Sequence, residues 1–253
     1  MNAAARRLLI LRKLEENNAV DINDIVKACG VSIATVRRDF KFMEDQGLIT
    51  TTHGGAVLTR FLSVEPGYII KKDLMIDEKR RIGETVSKML EPYSNVCIDC
   101  GTTAKEVAEY ISDRKELTVF SNSLLVASVL TQKNNLKFFM LPGQFRSNSM
   151  GYVGASVVDY VSNLRFDCIV LGCEGIDTVS GATVPDIEDG CCKRALVRSS
   201  NKVILAVDHS KFEQTATVSI AQLKEIDVIV TGKELDEKYL TTFAEFGIKI
   251  VLA

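Results

Sequence analysis

The sequence predicts two fold classes in one chain: an N-terminal all-α winged helix-turn-helix, then an α/β domain on a mostly parallel sheet. Three observations carry this expectation. Over the first sixty residues apolar positions recur at helical spacing, interrupted by a glycine turn and a Gly-Gly hairpin signal. From about residue 76, short β-rich runs alternate with helical stretches, the pattern of strands wrapped by helices. Between the two lies Glu65-Pro66-Gly67, a connecting segment by composition. The expected division is therefore residues 1–58, a linker over 59–75, and a second domain over 76–253.

Leu8, Leu9, Leu11 and Leu14 predict a first helix over about 4–16, which Asn17-Asn18 ends. Asp21 is a side-chain acceptor for a new first turn, and Asp24 suits the helix dipole, so a short second helix runs from Ile22 to Ala28. Cys29-Gly30-Val31 is a tight turn with glycine where a left-handed angle is required. Ser32 then caps a third helix whose inward face is Val36, Phe40 and Met43. In a helix-turn-helix the early residues of the second helix of the pair face DNA base edges. Here they are Ser32, Ile33, Ala34, Thr35, Arg37 and Arg38. Leu48 to Val57 reads as a β-hairpin wing, with Thr50-Thr51-Thr52 favouring strand and Gly54-Gly55 favouring the turn. His53 stands at that turn and is grouped with the DNA-facing residues, although a lone histidine there is more often a structural turn residue.

Charge sharpens the picture. Arg6, Arg7, Arg12, Lys13, Lys27, Arg37, Arg38, Lys41 and Arg60 face seven acidic residues in the first sixty, leaving +2. The whole chain carries −2, so the remainder carries −4. So small a basic surplus implies that a homo-oligomer, dimer or tetramer, pools its phosphate contacts. The 253 residues are 46% apolar, enough for real cores, yet no window approaches the roughly 20 unbroken apolar residues of a membrane span. Seven cysteines and no signal-peptide pattern fit a reducing, cytoplasmic setting. Cys97 and Cys100 have zinc-like spacing but lack a second pair, and Cys191-Cys192 reads as packing at a helix start. No metal or cofactor is expected.

In the second domain, 95–99, 117–120, 137–141, 166–171, 202–207, 228–231 and 249–251 read as buried strands, with a helix from Asp77 through Leu90 before them. The residues after each strand suggest a ligand site. Gly101-Thr102-Thr103 opens a helix, offering free amides and hydroxyls to an anion. Ser121-Asn122-Ser123 follows the second strand, Gly143 and the fixed charge of Arg146 the third, Glu174 and Asp177 the fourth, and Lys211 the fifth. The carboxylates suit sugar hydroxyls. With Asp99, Gly101, Thr102, Thr103 and Asn122 they form a candidate effector site if the strands are parallel.

The ordered series Arg6, Ile10, Leu14, Ser32, Thr35 to Phe40, Gly47-Leu48 and His53-Gly54-Gly55-Ala56 resembles the DeoR-type bacterial repressors. The resemblance continues through Asp99 to Thr103, Ser121 to Leu124, Leu171 to Asp177, Lys193-Arg194-Ala195 and Asp208 to Phe212, covering nearly the whole chain. It implies that Thr35, Arg37 and Arg38 contact operator DNA. It further implies a sensor that shares its fold with ribose-5-phosphate isomerase and binds phosphorylated sugars or their breakdown products. Gly101, Thr102 and Thr103 would hold phosphate, and Glu174 and Asp177 hydroxyls. Two departures are visible. Thr50-Thr51-Thr52 stands where such wings often carry basic residues, and Gln144 replaces a second glycine after the third strand.

The implied function is a regulator, a repressor of a carbohydrate-utilisation operon that a phosphorylated sugar modulates. An activator or bifunctional regulator of the same build is the alternative. A sugar-phosphate isomerase needs a base and a cation to steady an enediolate. Thr178 through Cys192 contains no lysine or arginine, which argues against catalysis.

Overall fold

The computed structural model describes residues 3–17, 19–59, 61–62, 65 and 67–253. Asn18, Arg60 and Pro66, and the side chains of Leu8 and Arg12, lie outside the described residues.

The N-terminal unit runs α1 (Ala3–Asn17), β1 (Ala19–Asp21), α2 (Ile22–Cys29), α3 (Ile33–Asp45), β2 (Ile49–Thr51) and β3 (Gly55–Leu58). The local signals act as expected. Asp21 accepts the Asn23 amide at 2.7 Å, Gly30 takes φ 64°, and the Ser32 hydroxyl accepts the Thr35 amide at 3.2 Å. Ile10, Leu11, Leu14, Ile25, Val36, Phe40 and Met43 form one buried cluster. The wing holds a strand the sequence does not suggest. β1 pairs antiparallel with β3, Val20 opposite Ala56, so the hairpin becomes a three-stranded sheet. That strand explains Gly55, where a Cβ would lie 1.8 Å from the Val20 carbonyl oxygen.

The connection carries β4 (Phe61–Leu62) and α4 (Tyr68–Lys71). The next helix, α5 (Ile76–Met89), starts after Met75 in a left-handed conformation, φ 50°. Then follow β5 (Asn95–Ile98), α6 (Thr102–Tyr110), β6 (Thr118–Ser121), α7 (Leu124–Leu130) and β7 (Lys137–Met140). A hairpin of β8 (Gln144–Arg146) and β9 (Gly151–Val153) precedes α8 (Ala155–Ser162) and β10 (Cys168–Leu171). The chain continues through β11 (Gly175–Asp177), β12 (Gly181–Val184), α9 (Ile187–Arg198) and β13 (Val203–Ala206). It ends with β14 (Thr215–Ala216), β15 (Val218–Ala221), β16 (Val228–Thr231), α10 (Lys238–Ala244) and β17 (Lys249–Leu252).

Seven strands form one sheet, ordered β17-β16-β13-β10-β5-β6-β7, with every pairing parallel. Strand side chains alternate between two cores, as the two-residue period requires. Cys97, Ile169, Leu171, Leu205 and Ile229 pack on the side of α8, α9 and α10. Val96, Ile98, Val119, Val170 and Ile204 pack on the side of α5, α6 and α7. The direction of winding reverses between β5 and β10, so the loops leaving these two strands border a crevice, where open sheets of this kind bind ligands. Cys191 and Cys192 sit inside α9 rather than at its start, Cys192 buried and Cys191 exposed. Among the described residues no helix is long and apolar enough to cross a membrane.

Candidate functional site

Two sites emerge. On α3, Val36, Asp39, Phe40 and Met43 are buried, which leaves Ile33, Ala34, Arg37 and Arg38 exposed on the opposite face. Thr35 is half-buried, its hydroxyl 2.9 Å from that of Ser32. The helix is held from behind by Asp39, which accepts from Arg6 and, at 2.9 Å, from Arg7. The Arg7 guanidinium also lies 3.6 Å from the centre of the Phe42 ring. Arg6 and Arg7 thus serve as internal counter-charges to Asp39. Glu44 fixes the wing by accepting the Thr51 amide at 2.9 Å and hydroxyl at 2.6 Å. Arg37 and exposed His53 consequently line one cleft of about 240 Å³ between helix and wing.

The second site is a cavity of about 50 Å³ at the crevice of the large sheet. Gly101, Thr102 and Thr103 line it at the start of α6, where free backbone amides point outward. Four lysines converge on it: Lys71, Lys79, Lys193 and Lys211. Lys71 Nζ lies 2.6 Å from both Glu65 and Glu174. Lys211 reaches the other Glu174 oxygen at 3.1 Å. Burial alone lowers a lysine's pKa, but at Lys71 the carboxylates of Glu174 and Glu65 outweigh it, and its pKa is raised. Glu174 is likewise opposed by burial, yet Lys211 and Lys71 hold it well below the usual carboxylate range. Lys193 is buried against Asp99 and stands 3.8 Å from Asp189. Lys79 donates to the carbonyls of Lys71 and Leu74 at 2.8 and 2.6 Å and faces Asp208 at 3.9 Å. Burial wins there, lowering Lys79 to about 8 despite Asp208. Two buried polar atoms at this place, Ser149 Oγ and Asp99 Oδ1, have no hydrogen-bond partner among the described residues.

A model of the DeoR-like helix-turn-helix domain matches residues 6–60, and one of the DeoR C-terminal sensor domain matches residues 74–233. The chain belongs to the DeoR family. Among its curated relatives is the glycerol-3-phosphate regulon repressor of Escherichia coli (strain K12), 32% identical over 91% of each chain. Another is the HTH-type transcriptional repressor GlcR of Bacillus subtilis (strain 168), 28% identical over 98% of this chain and 95% of that one. Ribose 5-phosphate isomerase A of Methanocaldococcus jannaschii is a solved neighbour at 17% identity, covering 55% of each chain with a TM-score of 0.37. That likeness is too slight to bear on function. This DeoR-family protein is a DNA-binding transcription regulator and not an enzyme.

The structure of the regulator brings together only part of the effector site expected from sequence. Gly101, Thr102, Thr103, Glu174 and Lys211 line the cavity. Asp99 lies beneath it, fully buried, accepting from Lys193 and from the Gly172 amide at 3.1 Å. Arg146 meets Glu65 and, at 3.5 Å, Asp186, and so touches the cavity wall through Glu65. The remaining three do not line it. Asp177 is occupied by the Val179 and Ser180 amides at 2.7 and 2.6 Å and by the Thr215 hydroxyl. Asn122 is buried and donates to the Tyr152 carbonyl at 3.0 Å. Gly143, φ 155°, packs under the hairpin, where a Cβ would lie 2.7 Å from the Val153 carbonyl oxygen. Gln144 pairs with Val153 in that hairpin, away from the cavity lining.

Lysine is plentiful despite the gap over Thr178 to Cys192. Lys193 follows that gap directly, and three more lysines arrive from elsewhere in the chain. The absence of a cation is therefore not what separates the regulator from an isomerase. Sequence reading assigned no role to Lys71, Lys79, Ser149, Asp189 or Asp208. Lys193 and Asp208 fall within motifs that carried the family resemblance, which was the available signal.

Proposed function

We propose that this regulator represses carbohydrate-utilisation genes by binding operator DNA through α3 and the wing, and is released when a phosphorylated sugar enters the sensor cavity. The observation that carries the reading is the pairing of an exposed Arg37-Arg38 face with a lysine-rich cavity at the start of α6. Arginine suits bidentate pairing to guanine or phosphate, and helix amides with lysines suit a phosphoryl group. The repressor names of relatives support repression over activation. In this reading residues 1–58 bind DNA, 59–75 connect, and 76–253 sense and oligomerise in the cytoplasm, two or four copies pooling their phosphate contacts. Moving the operator-competent population from 99:1 to 1:99 takes about 5.5 kcal/mol of preference for the released state.

Fluorescence anisotropy on the DNA upstream of the regulator's own gene tests this. Arg37→Ala and Arg38→Ala should each weaken binding about tenfold or more, in line with roughly 1–3 kcal/mol for a good base pairing. Affinity should also fall as salt rises. The Thr102→Ala/Thr103→Ala double variant should bind the same DNA normally but no longer release it with sugar phosphates. Unchanged DNA affinity in both arginine variants overturns the helix assignment, and normal release in the double variant overturns the cavity.

Lys79 adds a proton-linked signature. With its pKa near 8 it is largely neutral at pH 8.5. An anion entering the cavity raises that pKa, so binding of inorganic phosphate at pH 8.5 should take up protons. Calorimetry in two buffers of different ionisation heat should give unequal heats with the sign of uptake. Equal heats would exclude an anion beside Lys79.

A further inference from the structure

Glu65 is unlike the other carboxylates at the cavity because it comes from the connecting segment. Its side chain is buried, bonds Lys71 at 2.6 Å and Arg146, and lines the same cavity as Thr102, Thr103 and Ser149. Just before it, Phe61 and Leu62 form a two-residue parallel pairing with Thr215 and Ala216. The connection is thus fastened to the sensor at two neighbouring points, one of them a charge contact inside the cavity.

The cavity is charge-balanced as it stands. Lys71, Lys79, Lys193 and Lys211 are matched by Glu65, Glu174, Asp189 and Asp208. Those carboxylates already occupy the lysines that a phosphoryl group would use. A phosphoryl group that takes these cations must therefore displace an anion already seated on them. Glu174 belongs to the sensor, where Lys211 and, from the connection, Lys71 hold it. Glu65 is held by Lys71 and Arg146 and leads only into the connection. A phosphate monoester offers those cations more charge and more acceptor oxygens than a carboxylate does. Ser149, 5% exposed with an unpartnered hydroxyl in the same cavity, is a donor awaiting an acceptor.

From this geometry we infer that Glu65 is a tethered competitor for the effector's phosphoryl group. The phosphate takes Lys71 and Arg146, the Glu65 side chain leaves, and Phe61 and Leu62 lose their pairing with β14. The winged helix is then no longer held in one placement against the sensor. The inference rests on the reading that the cavity accepts a phosphoryl group. It adds that apparent affinity is reduced to the fraction of time Glu65 is out.

The test uses full-length wild type, Glu65→Gln and Glu65→Asp, with inorganic phosphate against chloride at equal ionic strength. Affinity is read by calorimetry, and hydrogen exchange is followed in the peptide from Phe61 to Gly67. In the wild type, phosphate should accelerate exchange of that peptide. Glu65→Gln should bind phosphate about tenfold more tightly or better, with exchange already fast before phosphate is added. Glu65→Asp keeps the charge but falls one methylene short, so it should lie between the two. Should the glutamine protein fail to fold, the comparison of Asp with wild type decides alone. Equal affinity in variants and wild type overturns the competitor and leaves the phosphate site standing. Tighter binding with unchanged exchange overturns the release of the connection. No phosphate binding to any of the three overturns both the inference and the cavity reading beneath it.

Discussion

Replacing Lys193 with methionine should cost the sensor about 3–5 kcal/mol, the usual penalty for removing one partner of a buried ion pair. Lys193 is the cation between Asp99 and Asp189, all three buried. Without it two carboxylates share a site with no charge to balance them. The loss should depend on pH. Burial pushes Asp189 up to about 7, with Lys193 opposing and Asp99 and Glu65 adding to the rise. In the unfolded chain an aspartate titrates near 3.9. Between roughly pH 4 and 7 the native state therefore binds a proton that the unfolded state has released, and stability falls as pH rises through that window. Removing Lys193 extends the window upward, so the deficit should be larger at pH 8 than at pH 5. Urea midpoints of variant and wild type at the two pH values measure this. A deficit of equal size at both would show that lost packing, not charge, is responsible.

Asp39→Asn should destabilise the winged helix by a similar amount, about 3–5 kcal/mol. Asp39 is 1% exposed and is the carboxylate that both Arg6 and Arg7 address. A unit of this size has little stability in reserve, so the full-length variant should lose DNA binding with its sensor still folded. The cause is separable from a direct DNA contact by a second variant. Arg6→Met combined with Asp39→Leu replaces most of the pair with apolar volume and should recover most of the urea midpoint, because well-packed hydrophobes substitute for buried ions at little cost. A single variant with the wild-type midpoint would remove the buried-pair account of how α3 is seated.

The parallel sheet is legible in the sequence because its strands are short, nearly unbroken apolar runs, such as Val203-Ile204-Leu205-Ala206. The helix-turn-helix is legible because its caps are local chemistry: Asp21, Gly30 and Ser32 each act within four residues. β1 is hidden, since Ala19-Val20-Asp21 is too brief to show a period and forms only against β3. That Thr102, Thr103, Glu174 and Lys211 come together around one cavity is legible because parallel strands deliver their exits to one edge. Asp177 misleads for a reason the sequence does contain. An aspartate two residues before a Val-Ser-Gly turn spends one oxygen on that turn's own amides, and the Thr215 hydroxyl takes the other. Lys71 is not legible, because only tertiary packing folds the connecting segment back over the sensor, and Lys79 is not, because nothing local marks it as a buried residue of α5. Lys193 stands in a motif that carries the family resemblance, but its buried pairing with Asp99 joins residues 94 positions apart and appears only once α9 packs on the sheet.

The order of strands in the large sheet also has a bearing on synthesis. β5 is central, with β6 on one flank and β10 on the other. Cys97 meets Phe120 soon after it emerges but must wait for Ile169 to close its second side. The buried core of the winged helix is drawn entirely from between Ile10 and Ala56 and can form early on the ribosome. A nascent chain halted between the two events would carry a finished DNA reader beside an open, sticky strand edge. Overproduction at low temperature, which lets that edge be covered before chains meet, should therefore favour recovery of the whole protein.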